Sequence, residues 1–257
     1  MNLKLSKSTV AGLLFSVACY TNLANAGPID LNSWTQEGSS GNGNWVVALD
    51  GSSVFQTTNG NPTFFVSGDS FINKEFTGSF GVETTSDNDY IGFVFGYNGL
   101  DDFYLFDWKQ EDQNLALGID GFEGFTLSKI STGADVASLN PLWGHVGTGI
   151  DVIATDYGTS LGWADNTVYD FTLGYTDTSI NISIDGGAFN NQNIFSIGGL
   201  TNSAGSFGFY NSSQSSVRYT GFEEDVLIDN PTSVPEPSTL AIFALGIMGL
   251  TSRKFKK

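Results

Sequence analysis

Two groups of carboxylates flank an apolar stretch near the middle of the chain. Asp87 and Asp89 lie two positions apart with Asn88 between them, and Asp101 and Asp102 follow the apolar stretch. Residues at i and i+2 share a face in an extended chain, so Asp87 and Asp89 present their carboxylates to the same side. Carboxylate and amide oxygens are the ligands that Ca²⁺ prefers. Each group is therefore a candidate calcium site, with an ordinary solvated turn as the alternative for both.

The two groups are too far apart to bind one ion if the intervening segments pair as a hairpin. A strand from Tyr90 to Tyr97 at about 3.4 Å per residue separates them by ~25 Å, whereas calcium ligands lie about 2.3–2.6 Å from the ion. The sequence contains no EF-hand loop pattern. We expect two sites, each completed by acids from other loops, such as Asp69, Asp120, Asp151, Asp156 or Asp165.

Groups suited to catalysis are scarce in the sequence. Cys19 is the only cysteine and His145 the only histidine, which excludes multi-histidine zinc or copper sites. His145 is accompanied by no Gly-x-Ser-x-Gly elbow, so we expect a satisfied or exposed loop histidine. The paired-carboxylate pattern E-x-D-x-x-E, begun at Glu223, places its third acid on Ile228. The sequence predicts a non-enzymatic protein, and a glycoside hydrolase is the enzymatic alternative.

The aromatic residues indicate a second kind of chemistry, the binding of sugars. Aromatic faces bind saccharides, but aromatic side chains also dominate β cores. Trp143 and Trp163 lie in segments rich in Gly, Asn and Asp, and we take both as candidate ligand contacts. Trp108 lies in an apolar segment and is predicted to be core. A carbohydrate-binding lectin is therefore an alternative function.

Short β-strands are the elements that must position these residues. Period-2 alternation recurs along the chain, and no long 3.6-residue pattern appears. Residues 169–175 and 180–184 alternate on either side of a TDTS turn, which predicts a half-buried hairpin. Residues 103–109 are apolar on both faces until Asp107, which predicts a central strand. Many short strands with Gly-, Asn- and Ser-rich turns are typical of a sandwich or jelly roll.

The charge of the chain is strongly negative, with 27 acidic residues, 10 Lys and Arg, and a net charge of −17. Nucleic acid and anionic membrane surfaces are excluded as partners, because both require clustered basic residues. An excess of this size repels itself unless cations neutralise it. Divalent calcium is the natural candidate outside the cell.

Both ends of the chain carry address signals. Residues 1–26 have a basic start, a short apolar run, and Ala24 and Ala26 at the positions that a signal peptidase inspects, which predicts a signal peptide. Residues 230–257 form a linker, Pro235-Glu236-Pro237, an apolar run too short for a comfortable membrane span, and a basic end. This order resembles the PEP-CTERM sorting signal, which implies removal by an exosortase, and a short terminal anchor is the alternative.

The body between these signals, residues 27–229, resembles the C-terminal, lectin-like domain of thrombospondins. The resemblance rests on residues 87–90 (DNDY), 92–97 (GFVFGY), 103–104 (FY) and 108–110 (WKQ). It implies an all-β, concanavalin A-like jelly-roll sandwich of two antiparallel sheets, calcium binding, roles in adhesion and matrix contact, and no enzymatic activity. The chain lacks the family's calcium-binding repeats before the domain and the cysteine near its end.

These observations predict an exported, non-enzymatic, calcium-binding adhesion or matrix protein. We expect it at the cell surface or in extracellular polysaccharide after C-terminal processing, with polysaccharide or surface proteins as partners. The mature domain is not expected to lie in the membrane.

Overall fold

The computed structural model of the protein describes residues 29–115 and 118–226, the last six as backbone. The processing residues Ala24, Ala26, Pro235, Glu236 and Pro237 lie outside these ranges, so their roles stay predictions. Within the described residues the strands are β1 Thr35–Gly38, β2 Trp45–Val47, β3 Ser53–Gln56, β4 Thr63–Val66, β5 Lys74–Val82, β6 Tyr90–Tyr97, β7 Phe103–Lys109, β8 Gln113–Leu115, β9 Ile119–Gly121, β10 Gly124–Ile130, β11 Ile150–Tyr157, β12 Val168–Tyr175, β13 Ser179–Gly186, β14 Phe189–Gly198, β15 Ser206–Ser212 and β16 Val217–Val226. A 3₁₀ turn, Leu31–Ser33, and one short helix, α1 Leu139–Gly144, accompany them.

The strands form two large antiparallel sheets and a small hairpin. The front sheet has the order β1-β4-β15-β6-β7-β10-β11, and the back sheet has the order β14-β13-β12-β5-β16-β3-β2. Strands β8 and β9 pair only with each other among the described strands. This architecture confirms the predicted all-β sandwich. The predicted hairpin is also present, because β12 pairs with β13 across the TDTS turn.

An aromatic core lies between the two sheets. Phe93 of the front sheet stacks on Phe106 with ring centroids 4.6 Å apart, and it contacts Phe171 of the back sheet at 4.8 Å. Such pairs contribute about 0.5–1.5 kcal/mol beyond the burial of their area. Trp108 belongs to the same cluster and is fully buried, as predicted.

The front sheet is buried on both faces at its centre. Every residue of β6 and β7 is buried. Residues of β7 alternate between the inter-sheet core and a second apolar cluster, which includes Leu142 and Trp143 of α1. The prediction of a central strand at 103–109 is therefore confirmed.

Strand β6 departs from the regular alternation of side chains between the two faces of the sheet. Period 2 predicts that Tyr97 shares a face with Phe93 and Phe95, but Tyr97 belongs to the outer cluster. Gly96 has a left-handed φ of 55°, and the register of β6 against β15 shifts beside it. A residue in this conformation interrupts the pleat, so Tyr97 turns to the other side of the sheet.

Candidate functional site

The hairpin of β6 and β7 positions both predicted acidic groups. Tyr90 pairs with Lys109 at one end of the hairpin, and Phe95 pairs with Tyr104 towards the other. Asp87 and Asp89 precede β6, whereas Asp101 and Asp102 lie in the connecting turn. The two groups therefore lie at opposite ends of the hairpin, as the sequence predicts.

Lys109 occupies the centre of the first group. Its side chain is completely buried, and its ammonium donates to Asp89 Oδ1 at 2.9 Å and to the carbonyl oxygen of Asn88 at 3.1 Å. A third hydrogen bond goes to Gln113 Oε1. An ammonium has three N–H donors, so all three are satisfied.

Aromatic rings enclose the same ammonium. Lys109 Nζ lies 4.3 Å from the ring centroid of Trp143 and 5.1 Å from that of Tyr90. Burial lowers the pKa of Lys109, and the Asp89 carboxylate opposes this effect. The cation is held by one carboxylate, two neutral oxygens and two π faces.

Asp89 connects this group to three other segments of the protein. Its side chain is 6% exposed and binds Lys109. Its backbone N–H donates to Gln214 Oε1 at 3.0 Å, and its carbonyl oxygen accepts from Trp163 Nε1 at 3.0 Å. Contacts of both the side chain and the backbone fix the position of Asp89, and its carboxylate is buried.

Asp87 lies outside this buried pair and is only half-buried. Its carboxylate accepts from the side-chain amide of Asn59 and from the backbone N–H of Asn88 at 3.2 Å. Burial, followed by the nearby Asp89 carboxylate, raises the pKa of Asp87 to about 6. A substantial fraction of Asp87 is therefore protonated in mildly acidic solution.

Asp87 lines an open polar cleft of ≈ 410 Å³. The residues that line it are Thr85, Ser86, Asp87, Asn88, Gln110, Glu111, Gln113 and Asp165. Asp165 is one of the acids that the sequence suggested for completing a site, and Gln110 donates to its Oδ1 at 3.2 Å. The sequence does not single out Glu111, which lies two residues after the end of β7 and accepts from Asn88 Nδ2 at 3.1 Å.

The donor set at this end of the hairpin does not fit a preformed calcium cage. Among residues 29–115 and 118–226, no three or more Asp, Glu, His or Cys side chains converge so that they could hold a metal. The Asp89 carboxylate instead binds the Lys109 ammonium, which supplies a positive charge where an ion was expected. Calcium at Asp87, Asn88 and Asp89 stays a prediction that requires ligands to rearrange.

The second acidic group is more open and is also engaged with a lysine. Asp102 Oδ1 accepts from Lys129 Nζ at 2.6 Å, and the two side chains are 51% and 29% exposed. Lys129 also lies 4.5 Å from the ring centroid of Tyr104. Asp101 is exposed in the turn. The Asp102 carboxylate is thus engaged in an ion pair with Lys129. Calcium at Asp101 and Asp102 stays a prediction.

The two tryptophans predicted to contact a ligand are both 2% exposed. Trp143 is covered by Lys109 and by the edge of the Tyr90 ring, whose hydroxyl donates to the Trp143 carbonyl at 2.7 Å. The indole N–H of Trp163 is used by Asp89. Contact between either indole and a saccharide stays a prediction that requires the covering residues to move.

His145 forms a second buried pair at the end of α1. Its Nε2 lies 2.7 Å from Asp107 Oδ2, and both side chains are at most 5% exposed. Burial raises the pKa of Asp107, and His145 opposes this effect. The expectation of a satisfied histidine is met by this contact.

The sequence is similar to known families and proteins. Residues 40–225 match the thrombospondin C-terminal region, and residues 233–257 match the PEP-CTERM protein-sorting motif. Human thrombospondin-2 is 36% identical over 140 residues, which are 51% of this chain and 12% of that protein. Rat cartilage oligomeric matrix protein is 34% identical over 139 residues, 51% of this chain and 18% of that protein. The chain thus spans less than a fifth of the length of these relatives.

Solved structures share the fold at low identity. The exoplasmic/lumenal domain of VIP36, in its form bound to Ca²⁺ and Man3GlcNAc, superposes with a TM-score of 0.52 at 11% identity. The match covers 79% of this chain and 89% of the VIP36 chain. It supports the lectin-like sandwich architecture.

The sorting motif indicates export and a cell-surface or extracellular location after C-terminal processing by exosortase-type machinery. Across the described residues, no helix has the length and apolar character needed to cross a bilayer. The family match extends over most of the sandwich and includes the hairpin of β6 and β7. The chain belongs to the thrombospondin C-terminal region family.

Proposed function

We propose that this protein is a non-catalytic binding module that mediates adhesion in the extracellular matrix by attaching to polysaccharide. The observation that carries the proposal is the combination, in one chain, of the thrombospondin C-terminal region and an export-linked sorting motif. The surroundings of the carboxylates and the charge of the molecule supply further support.

The inner carboxylates, Asp89 and Asp107, are poorly arranged for glycoside hydrolysis. Hydrolases of that class separate two carboxyl groups by about 5–5.5 Å or 6.5–9.5 Å across an open site. Asp87 instead lies near the Asp89 carboxylate, which raises the pKa of Asp87, and Asp89 is buried against Lys109. The buried Asp107 is paired with His145. These arrangements favour a structural role for the inner carboxylates.

A saccharide is the partner that the chemistry of the chain favours. A net charge of −17 disfavours anionic surfaces and anionic polymers. VIP36, which shares the fold, was crystallised with mannose-containing ligands, and saccharide binding is the use of the fold that we propose for this chain. Surface proteins are the alternative partner.

Calcium is a separate part of the proposal. The oxygen atoms available to it line the open cleft, where Asp87, Glu111 and Asp165 bring carboxylates and Gln110 and Asn88 bring amides. Extracellular calcium modules bind with dissociation constants of about 10⁻⁴–10⁻³ M, which suits a site without a preformed cage. The ion would neutralise part of the local acidity.

The test is cosedimentation of the purified protein with matrix polysaccharide from the producing cells, with calcium or EDTA. We expect saturable binding and no release of reducing sugar. Binding to surface proteins but not to polysaccharide would support the alternative partner. Failure to bind cells, polysaccharide or surface proteins under either condition would contradict the proposal.

A further inference from the structure

We propose that Phe122, Tyr157 and the adjoining cleft form a subsite for a neutral saccharide. The inference rests on the proposed function, because it names the place where polysaccharide binds. It concerns a surface distinct from the buried Trp143 and Trp163.

The platform is a pair of exposed aromatic rings. Phe122 follows β9 and is 46% exposed, and Tyr157 ends β11 and is 38% exposed. Their ring centroids are 5.3 Å apart with planes inclined by 38°. Contiguous exposed apolar surface marks interaction sites and ligand-binding grooves. Sugar rings have an apolar face of C–H groups, which packs against such rings.

Polar groups surround this platform on one side. Phe122 lines an open cleft together with Asp112, Gln113, Asn114, Asp120 and Gly121. Asn114 donates to Asp120 Oδ1, and Asp112 Oδ1 accepts from the backbone N–H of Glu123 at 2.7 Å. Each carboxylate thus has one oxygen in a hydrogen bond, and a carboxylate has further acceptor capacity for the hydroxyl donors of a sugar. An apolar face beside hydroxyl acceptors is the arrangement that a saccharide requires.

The platform is tied to rigid parts of the fold. The hydroxyl of Tyr157 lies 2.8 Å from Thr126 Oγ1 on the neighbouring strand. Gln113, on the cleft wall, accepts from the buried Lys109 ammonium. Glu123, next to Phe122, accepts from the Gly162 N–H at 3.1 Å. A ligand therefore finds the side chains largely in place, which reduces the entropic cost of binding.

The surrounding charge selects a neutral sugar. Asp112 and Asp120 line the cleft, and Asp156 precedes Tyr157. The carboxylates accept hydrogen bonds from hydroxyl groups but repel uronates and sulfated sugars.

The test is affinity gel electrophoresis of the full chain in gels with dextran, laminarin, hydroxyethyl cellulose or anionic alginate. Wild type is compared with Phe122→Ala, the conservative Phe122→Tyr, and Val168→Ala, which truncates an exposed apolar side chain lining another cleft. We expect at least one neutral polysaccharide to retard wild type and alginate not to. Phe122→Ala should weaken that binding about tenfold, as expected for loss of a stacking ring. Phe122→Tyr and Val168→Ala should bind within about twofold of wild type.

Three results would overturn the inference. Equal retardation of wild type and Phe122→Ala would place binding elsewhere and leave the proposed function standing. Retardation by alginate alone would refute the selection for neutral sugars. An unretarded wild type in all four gels would refute this subsite, whereas cosedimentation with the matrix polysaccharide decides the proposed function.

Discussion

At the scale of single residues, Lys109 supplies from within the chain the positive charge that the acids before β6 require. Its ammonium is bound by Asp89, Asn88 and Gln113 and faces two aromatic rings. A buried ion pair adds little net stability when both partners are present, but removing one partner leaves an uncompensated charge. Lys109 is therefore a point where a single substitution has a large effect.

Replacing Lys109 with Met should lower the free energy of unfolding by about 3–5 kcal/mol, because Asp89 would stay buried without its cation. The matched control is Lys129→Met, which breaks the partly exposed pair with Asp102 and should cost about 0–1 kcal/mol. Urea denaturation followed by tryptophan fluorescence measures both. Equal losses of unfolding free energy in the two variants would show that breaking the buried ion pair costs no more than breaking the partly exposed one.

The raised pKa of Asp87 predicts a dependence of stability on pH. The folded pKa of about 6 exceeds the value of about 3.9 for an unfolded aspartate. Ionisation therefore opposes folding, and stability falls as the pH rises from about 4 through 6. Asp87→Asn should be more stable than wild type at pH 7, by about 1 kcal/mol after allowing for solvent screening at this half-buried site.

Denaturation of the wild type and Asp87→Asn between pH 4 and pH 8 measures this effect. The stability difference should be smallest near pH 4, where both side chains are neutral, and should grow up to about pH 7. A difference that is constant across the range would mean that Asp87 titrates normally.

At the scale of elements, the pattern of the sequence predicts strands well and their partners poorly. The apolar face of β7 and the β12–β13 hairpin follow from alternation. The position of Tyr97 does not, because the turn in the pleat depends on the conformation of Gly96. The local spacing of residues does not predict the contact between Lys109 and the acids before β6, because that contact depends on the antiparallel register of β6 and β7.

The sequence also predicted the acidic ends of the hairpin but not the exposed aromatic platform. Phe122 lies in a short connection between β9 and β10, and its neighbour Tyr157 is brought to it by the pairing of β10 with β11. The sequence does not show which aromatic residues are exposed, because the same residue types fill the core. The polar flanks of Trp143 and Trp163 predict contact with a ligand, yet the fold buries both side chains.

Gly92 tests the close pairing of the central strands. A Cβ at this position would clash with the carbonyl oxygen of Phe106 on β7, so Gly92→Ala should destabilise the protein by about 1–3 kcal/mol. Gly68→Ala is the control, since its Cβ would meet open space. Thermal unfolding by circular dichroism distinguishes the two. A Gly92→Ala variant as stable as the control would contradict the register of β6 and β7.

At the scale of the whole molecule, the dominant property is the acidity of the chain, whose net charge is −17. The aromatic core packs the two sheets together, whereas the peripheral acids repel one another. Salt of any kind screens that repulsion, but a bound divalent ion adds a specific contribution.

Calcium should raise the melting temperature more than NaCl at equal ionic strength. With a dissociation constant of about 1 mM, 10 mM CaCl₂ would add about 1.4 kcal/mol, or about 3–6 °C for a domain of this size. Differential scanning calorimetry with EDTA reversal measures the effect, and Asp87→Asn should reduce it. Identical melting temperatures in the two salts would show that calcium adds no specific stabilisation.

The most direct test of the account measures binding and turnover of the same polysaccharide in one sample. Purified full-length protein is titrated by calorimetry with the neutral polysaccharide that retards it most strongly, and reducing ends are then assayed after prolonged incubation. We expect saturable binding with no new reducing ends. Reducing ends that accumulate with the wild type and disappear in Asp87→Asn would show that the protein is an enzyme and would contradict the proposed non-catalytic function.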